Sequence, residues 1–153
     1  MSPGMKAIVY TKKDRAMLVL TKEDYQAKLG DVSLSIRLGE LGLDSTVLML
    51  DADSLQLNEF TSAGEKLVLD KLDVSIPRQL VLMNPPEKPS VIWRDLQTRE
   101  VLSESWDTSA GQIQLRLRGV PGSQSKILVW IHEESLWVDV DYTVNSIQEI
   151  VVP

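Results

Sequence analysis

Apolar and polar residues alternate along most of this chain, and the alternation predicts strands. The most regular segments are 32–38, 112–118 and 136–144, in which every second residue is apolar. A period of two with one apolar face is typical of a half-buried antiparallel strand. Turn-forming residues recur at intervals of about 8–12 residues, as they do in β-sandwiches. The sequence therefore predicts a mainly β protein made of antiparallel β-sandwich or barrel units.

The segment 126–144 is predicted to form the centre of this fold. Residues 127–131 are apolar on both faces, which favours a strand in the middle of a sheet. A polar turn at 133–135 is predicted to lead into a second strand. The alternation in that strand places Leu136, Val138, Val140, Tyr142 and Val144 on an apolar face and, on the opposite face, Trp137, Asp139, Asp141 and Thr143.

One short helix is predicted near residues 22–29. Thr21 can accept a hydrogen bond from the first turn, and Asp24 stands where a capping-box acid would lie. Gly30 occupies the position at which a left-handed residue commonly ends a helix.

Two hairpins are predicted outside the central segment. Residues 6–11 and 16–21 are short β-type runs separated by a polar turn. Residues 91–96 and 100–106 are predicted to pair in the same way, with 97–99 as their loop. Both predictions assume that strands adjacent in the sequence are also adjacent in a sheet.

Two further segments predict strands of different kinds. Residues 46–50 form a continuous apolar run, which suits a strand inside a sheet. Residues 67–76 fit two strands with a break at Asp70-Lys71, although the same apolar spacing also allows a short helix.

The segment 84–90 is the best candidate for a boundary between domains, because it holds three of the seven prolines. Proline cannot donate to a sheet and holds the preceding residue extended. We predict an N-terminal β-rich unit at 1–84 and a C-terminal sandwich-like unit at 90–153, with 84–90 as the connector. The alternative is a single domain in which this segment is an ordered loop.

Composition and charge exclude several classes of function. The chain has 153 residues, is 43% hydrophobic and carries a net charge of −6 at pH 7. An acidic chain without a large basic patch is disfavoured as a nucleic-acid binder, because phosphate contacts supply most of that affinity. The chain has no cysteine, which removes thiolate chemistry and disulfides.

The hydropathy pattern bears on localisation. The N-terminal residues lack the apolar run of a signal peptide, and no stretch is long enough to span a membrane. We therefore expect synthesis in the cytoplasm without a signal peptide, and no membrane span.

The candidate site residues lie on the polar face of the strand at 136–144. Alternate residues of a strand are about 6.6 Å apart, so Asp139 and Asp141 could share a calcium ion or flank a sugar stacked on Trp137. Two carboxylates near that separation could also serve as the acid and base of a glycosidase. Alternatively these are ordinary solvated acids, or Trp137 and Trp106 belong with them to a surface that binds a protein partner.

Other possible sites are weaker. The segment 51–62 contains Asp51 and Asp53 but lacks the glycine and the final glutamate of an EF-hand loop, so a hairpin turn is the better interpretation. His132 is the only histidine, and we expect it at a strand end with a local hydrogen bond. No glycine-rich phosphate loop and no nucleophile elbow occurs. We therefore predict no catalytic residue, no metal ligand and no cofactor.

These observations favour a non-enzymatic structural or protein-interaction subunit of a larger assembly, for which a virion or phage particle is one setting. Its partners would be proteins or further copies of itself, and a small-molecule ligand is disfavoured. One alternative is a carbohydrate- or calcium-binding β-sandwich that uses Trp137, Asp139 and Asp141. A second alternative is a carboxylate-based hydrolase, which needs two acids in a cleft with one pKa raised.

Overall fold

The computed structural model describes residues 4–23, 31–61 and 66–153. Of these residues, 69% lie in strands and 3% in helical turns, which confirms the mainly β prediction. Every strand pair is antiparallel, and no closed barrel occurs in the described segments. The chain forms two compact units, Met1–Pro85 and Pro86–Pro153. That these units are separate domains stays a prediction.

The described residues of the first unit form seven strands and one 3₁₀ turn at Leu38–Leu41. The strands are β1 Met5–Lys12, β2 Arg15–Lys22, β3 Asp31–Arg37, β4 Thr46–Asp51, β5 Gln56–Thr61, β6 Lys66–Asp73 and β7 Arg78–Met83. Five of them form a sheet in the order β1-β2-β7-β4-β5, and β3 pairs with β6. Between β7 on one side and β5 on the other, β4 occupies the interior position that its continuous apolar run predicts.

The core of the first unit is aliphatic. Its buried residues come from both sheets and from the 3₁₀ turn, and they include Ala16, Leu18, Leu20, Leu34, Leu38, Val47, Leu67, Leu69, Leu80 and Leu82. Alternate residues of β2 and β7 supply one side of the cluster, because side chains on a strand point to opposite faces in turn. Burial of these side chains is the main favourable contribution to folding of this unit.

The second unit contains six strands in two sheets. The strands are β8 Ser90–Arg94, β9 Thr98–Asp107, β10 Gln112–Gly119, β11 Ser123–Ile131, β12 Glu134–Tyr142 and β13 Ile147–Val152. One sheet has the order β13-β10-β9 and the other β12-β11-β8. One cluster of buried side chains draws on both sheets: Ile113, Leu115, Leu117, Ile127, Val129, Ile131, Val140, Tyr142 and Val152. This unit is therefore a small antiparallel sandwich with β11 in the centre of its sheet.

The predicted hairpin within 91–106 is wrong. Strand β8 pairs with β11, whereas β9 pairs with β10, so the chain passes from one sheet to the other between them. The Asp95 carboxylate fixes this corner, because it accepts hydrogen bonds from the backbone N–H groups of Gln97, Thr98 and Lys126. Apolar periodicity places strands but carries no information about which sheet each strand joins.

The predicted turn at 133–135 is also displaced. Ile131 and Glu134 are paired across β11 and β12, so the turn consists of His132 and Glu133. Both residues have positive φ angles, 52° and 61°, as the central residues of a type I′ turn require. Such turns favour asparagine and glycine, and neither stands here, so the residue types gave no signal for this position.

Two smaller predictions concern the first unit. Of the predicted helix at 22–29, Lys22 lies in β2 and residues 24–29 lie outside the described residues. The predicted break at Asp70-Lys71 is a bulge within the continuous strand β6, where the pairing with β3 shifts and Lys71 has a φ of 57°. A bulge inserts extra residues into one strand without ending it, which explains the interrupted alternation.

Gly119 lies directly against the ring of Tyr142 in the second unit. A Cβ atom at Gly119 would overlap three ring atoms of Tyr142, and both residues are fully or almost fully buried. The last residue of β10 must therefore be glycine for the Tyr142 ring to lie in the core.

We expect Gly119→Ala to lower the free energy of unfolding of the second unit by about 3 kcal/mol, because the core must shift to admit the new methyl group. Chemical denaturation followed by circular dichroism, which reports on the strands of both units, measures the change. Gly39→Ala is the matched control, since a Cβ there meets nothing within 4 Å. Equal losses in the two variants would show that the Tyr142 ring does not require the glycine.

We expect Glu133→Gly to raise the free energy of unfolding by about 1 kcal/mol, because glycine adopts a positive φ without the steric cost of a side chain. Thermal unfolding at one fixed pH measures the gain. Ser135→Gly is the control within β12 and should destabilise the protein, since glycine weakens a strand interior. A loss of stability in Glu133→Gly would contradict the type I′ turn.

Candidate interaction surface

The predicted site residues Trp137, Asp139 and Asp141 share one face of β12, as their alternation requires. Asp139 is exposed and lies opposite Lys126, whose Nζ is 3.5 Å from a carboxylate oxygen. The carboxylate of Asp141 is exposed and accepts a hydrogen bond from the backbone N–H of Thr143 at 3.0 Å. Each acid therefore has its own local partner: Lys126 for Asp139, and the backbone N–H of Thr143 for Asp141.

Trp137 is half-buried and packs against a second tryptophan. Its ring centroid is 5.6 Å from that of Trp93 on β8, at an interplanar angle of 78°. Leu128 of β11, the strand between β12 and β8, is the register partner of both tryptophans. An edge-to-face pair of this kind contributes favourably to packing and fixes the orientation of both rings. Part of Trp137 remains accessible next to Asp139.

Trp106 lies apart from the face of β12. It belongs to β9 in the other sheet and packs against the core cluster of the second unit. Its ring also contacts His132, with centroids 5.6 Å apart at 73°. The structure therefore brings Trp137, Asp139 and Asp141 together and places Trp106 in another environment.

His132 is held at the turn between β11 and β12, as predicted for a strand-end residue with a local hydrogen bond. Its Nε2 atom lies 3.2 Å from the carbonyl oxygen of Gly111, and its ring contacts Trp106. These two contacts link the turn to the end of β10. The imidazole therefore has a structural role in holding a residue with a positive φ.

A chain of hydroxyl groups runs from the core of the second unit to the Asp95 corner. The Ser125 hydroxyl donates to the Asp95 carboxylate at 2.5 Å, and Thr98 Oγ1 lies 2.5 Å from Ser125 Oγ and 3.0 Å from the Tyr142 hydroxyl. Each hydroxyl has one proton, so Thr98 donates to Ser125 and Tyr142 donates to Thr98. Burial raises the pKa of Tyr142 above its usual value, and the hydroxyl remains a donor.

The loop between β4 and β5 is organised by Asp51, which is buried. Its carboxylate accepts the backbone N–H groups of Asp53 and Ser54 and forms an ion pair with Arg78 of β7. Burial alone would raise the pKa of the Asp51 carboxyl. The hydrogen bonds and the guanidinium outweigh burial, so the pKa lies below its usual value.

The loop geometry confirms that 51–55 closes a hairpin. Asp51 pairs with Gln56 across β4 and β5, and Leu55 has a φ of 57°. The buried carboxylate is directed at Arg78 and at the loop backbone. Within the described residues, no three histidine, aspartate or glutamate side chains are grouped so that they could hold a metal ion.

Strand β1 forms one outer edge of the five-stranded sheet. Within the part of the chain that the structure describes, it pairs only with β2. Two apolar residues on it are exposed, Val9 at 47% and Tyr10 at 56%. An edge strand presents a row of backbone N–H and C=O groups to solvent, so β1 combines hydrogen-bonding capacity with apolar surface.

A groove of about 350 Å³ adjoins β1 in the first unit. Its apolar lining comes from β1, β2, β3 and the 3₁₀ turn, and consists of Ala7, Val9, Leu18, Leu34, Ile36 and Leu41. At its rim Arg37 and Glu40 form an ion pair at 3.7 Å. The inner face of β1 is therefore continuous with an open apolar surface.

No family model matches this chain, and no curated protein matches it either. In the segments described here, none of the helical structure has the length and apolar character needed to cross a membrane.

Neither the edge position of β1 nor the role of Asp95 at the corner between the sheets was predicted from the sequence. Residues 6–11 were recognisable as a strand, but nothing in a short apolar run distinguishes an edge strand from an internal one. The Asp-Leu-Gln-Thr sequence at 95–98 is compatible with a hairpin loop as well as with a corner between sheets. The available signal for β1 was its lysines, Lys6 and Lys12, because charged residues are common on sheet edges.

We expect Asp51→Asn to lower the free energy of unfolding by about 2 kcal/mol at pH 7, because Arg78 loses its buried partner. The pKa of Asp51 is lower in the folded state, so its ionisation stabilises the fold above the unfolded value, and this contribution is lost as the pH falls through the folded value. The difference between wild type and variant should therefore shrink as the pH falls below about 4.

Urea denaturation at a series of pH values measures this difference. Asp44→Asn is the control: it removes an exposed carboxyl from the same unit, so it measures how much the loss of one negative charge alone changes the free energy of unfolding. A difference that stays constant down to the most acidic pH would contradict the assigned role of the Asp51 carboxylate.

Proposed function

We propose that this chain is a non-enzymatic structural or protein-interaction subunit of a larger assembly. The observation that carries the proposal is that β1 pairs only with β2 among the described residues 4–23, 31–61 and 66–153, and that its Val9 and Tyr10 are exposed. Natural sheet proteins commonly cover, shorten or interrupt such edges, because an open edge pairs readily with another strand. An eight-residue edge with apolar side chains is suited to pairing with a protein partner.

The face of β12 offers a second contact surface in this proposal. Trp137 is partly accessible and fixed by Trp93, and Asp139 and Asp141 are exposed beside it. A pre-oriented tryptophan loses little side-chain entropy on binding, which is one reason why tryptophan is enriched in binding hot spots. A virion is one kind of particle in which a subunit with two contact surfaces would serve.

The surroundings of the titratable residues support a non-enzymatic role. His132 is engaged by the Trp106 ring and the Gly111 carbonyl, and Asp51 is engaged by Arg78 and its own loop. Asp139 is exposed and forms an ion pair with Lys126, whose Nζ is 3.5 Å from a carboxylate oxygen. The observed contacts of His132, Asp51 and Asp139 are thus with neighbouring groups of the fold.

We expect the molar mass in solution to exceed that of one chain and to rise over a tenfold range of concentration, as measured by light scattering on a sizing column. Val9→Lys should lower the assembled fraction, because it places a charge in the apolar edge. Ile76→Lys is the matched control, since Ile76 is 62% exposed but lies outside the strands.

The mass of a single chain at every concentration would contradict self-association. An equal effect of the two lysine variants would show that the edge of β1 has no special part in assembly.

A further inference from the structure

We propose that the partner of the β1 edge is β1 of a second copy, paired antiparallel about a two-fold axis at Ile8. This inference rests on the proposed function and names the partner and the register. The two five-stranded sheets would then form one continuous sheet across the dimer, with the same strand at the junction on both sides. Closed two-fold dimers are the commonest homo-oligomers, and two copies of one strand that pair across a two-fold axis run antiparallel.

The pairing of β1 with β2 determines which residues of β1 face outward. Lys12 and Arg15 flank a two-residue turn, so they form a hydrogen-bonded pair. At the other end Glu23 donates to the Gly4 carbonyl at 2.7 Å, in agreement with the same alternation. The even-numbered residues of β1 therefore bond to β2. The N–H and C=O groups that point to the open edge belong to Met5, Ala7, Val9 and Thr11.

Outward residues must pair with outward residues, which leaves few registers. The register centred on Ile8 pairs Met5 with Thr11 of the second copy and Ala7 with Val9 of the second copy. Every outward backbone group from Met5 to Thr11 then has a partner. No other self-pairing of β1 uses all of these groups, because any shift leaves residues at one end unpaired.

The lysines select the same register. With Ile8 at the centre, Lys6 lies opposite Tyr10 of the second copy, where an ammonium group can rest on an aromatic face. A shift of the centre to Val9 would place Lys6 opposite Lys12, and like charges directly opposite each other destabilise a sheet. A shift to Ala7 avoids that repulsion but leaves the outward groups of Thr11 without partners in the second strand.

The apolar residues meet at the centre of the pairing. Ile8 faces Ile8 of the second copy on one face of the sheet, and Ala7 and Val9 alternate across the junction on the other. Val9 is 47% exposed in the single chain and lies at the apolar groove, so the second strand covers it. Burial of these side chains adds a hydrophobic contribution to the backbone hydrogen bonds.

Single cysteines test the register directly, because the chain has none of its own. In Ile8→Cys, the two cysteines occupy a non-hydrogen-bonded pair about 4.5 Å apart at Cα, which a disulfide spans. In Tyr10→Cys they lie four residues apart along the strands, about 13 Å, which a disulfide does not span. Mild oxidation and a non-reducing gel measure the covalent dimer.

We expect Ile8→Cys to give at least about tenfold more covalent dimer than Tyr10→Cys, because only the first pair lies within disulfide range. A mixture of Lys6→Cys and Tyr10→Cys chains should also cross-link, since these positions face each other. That mixture uses two exposed positions, so it reports the register even where Ile8→Cys impairs folding.

Equal cross-linking of Ile8→Cys and Tyr10→Cys would overturn the proposed register. Failure of both Ile8→Cys and the mixture, with the wild type oligomeric by light scattering, would overturn the β1 pairing and leave the proposed function standing, with another surface as the contact. Failure of both with a wild-type mass of one chain would overturn the pairing and self-association together.

Discussion

Every backbone N–H and C=O group in a sheet needs a hydrogen-bond partner, and this constraint organises both units of the protein. Strands β2, β4, β7, β10 and β11 satisfy it on both sides, because each has a strand on either side. Among the residues that the structure describes, the outer strands satisfy it on one side only. Water can satisfy the remaining groups, but a second strand does so while burying apolar surface. The position of a strand in its sheet therefore decides whether one of its two edges remains available to pair with another strand.

The same constraint explains why two aspartate carboxylates accept hydrogen bonds from the backbone N–H groups of loops. Asp51 accepts the N–H groups of the β4–β5 loop, and Asp95 accepts those of the corner between β8 and β9. Each also has a partner on another strand, Arg78 for Asp51 and Ser125 for Asp95. A carboxylate accepts several hydrogen bonds at once, so one side chain can replace the ladder that is missing where a strand ends. Loop shape in both units thus depends on acids that apolar patterning does not reveal.

The sequence predicted strands well because alternation follows directly from which face is buried. Residue pattern and turn chemistry predict the mainly β fold, the interior position of β4 and the central position of β11. They also predict the hairpin loop after Asp51. The predicted pairing of β8 with β9 failed because the partner of a strand depends on contacts distant in sequence. For the candidate site, alternation correctly placed Trp137, Asp139 and Asp141 on one face. It could not show that Trp106 packs against the core of the same unit.

The lysines of β1 present an apparent difficulty for any role of this edge in assembly, since lysine on an edge strand commonly discourages pairing. Their effect depends on what they face. Opposed to each other they repel, whereas opposed to an aromatic ring they attract, so they distinguish between registers of one strand. On the other side of the same sheet, β5 is shorter and carries Glu59 in place of lysine. A central run of Ala7, Ile8 and Val9 supplies the attraction and the flanking lysines supply the selectivity, which makes a lysine-bearing edge compatible with specific self-association.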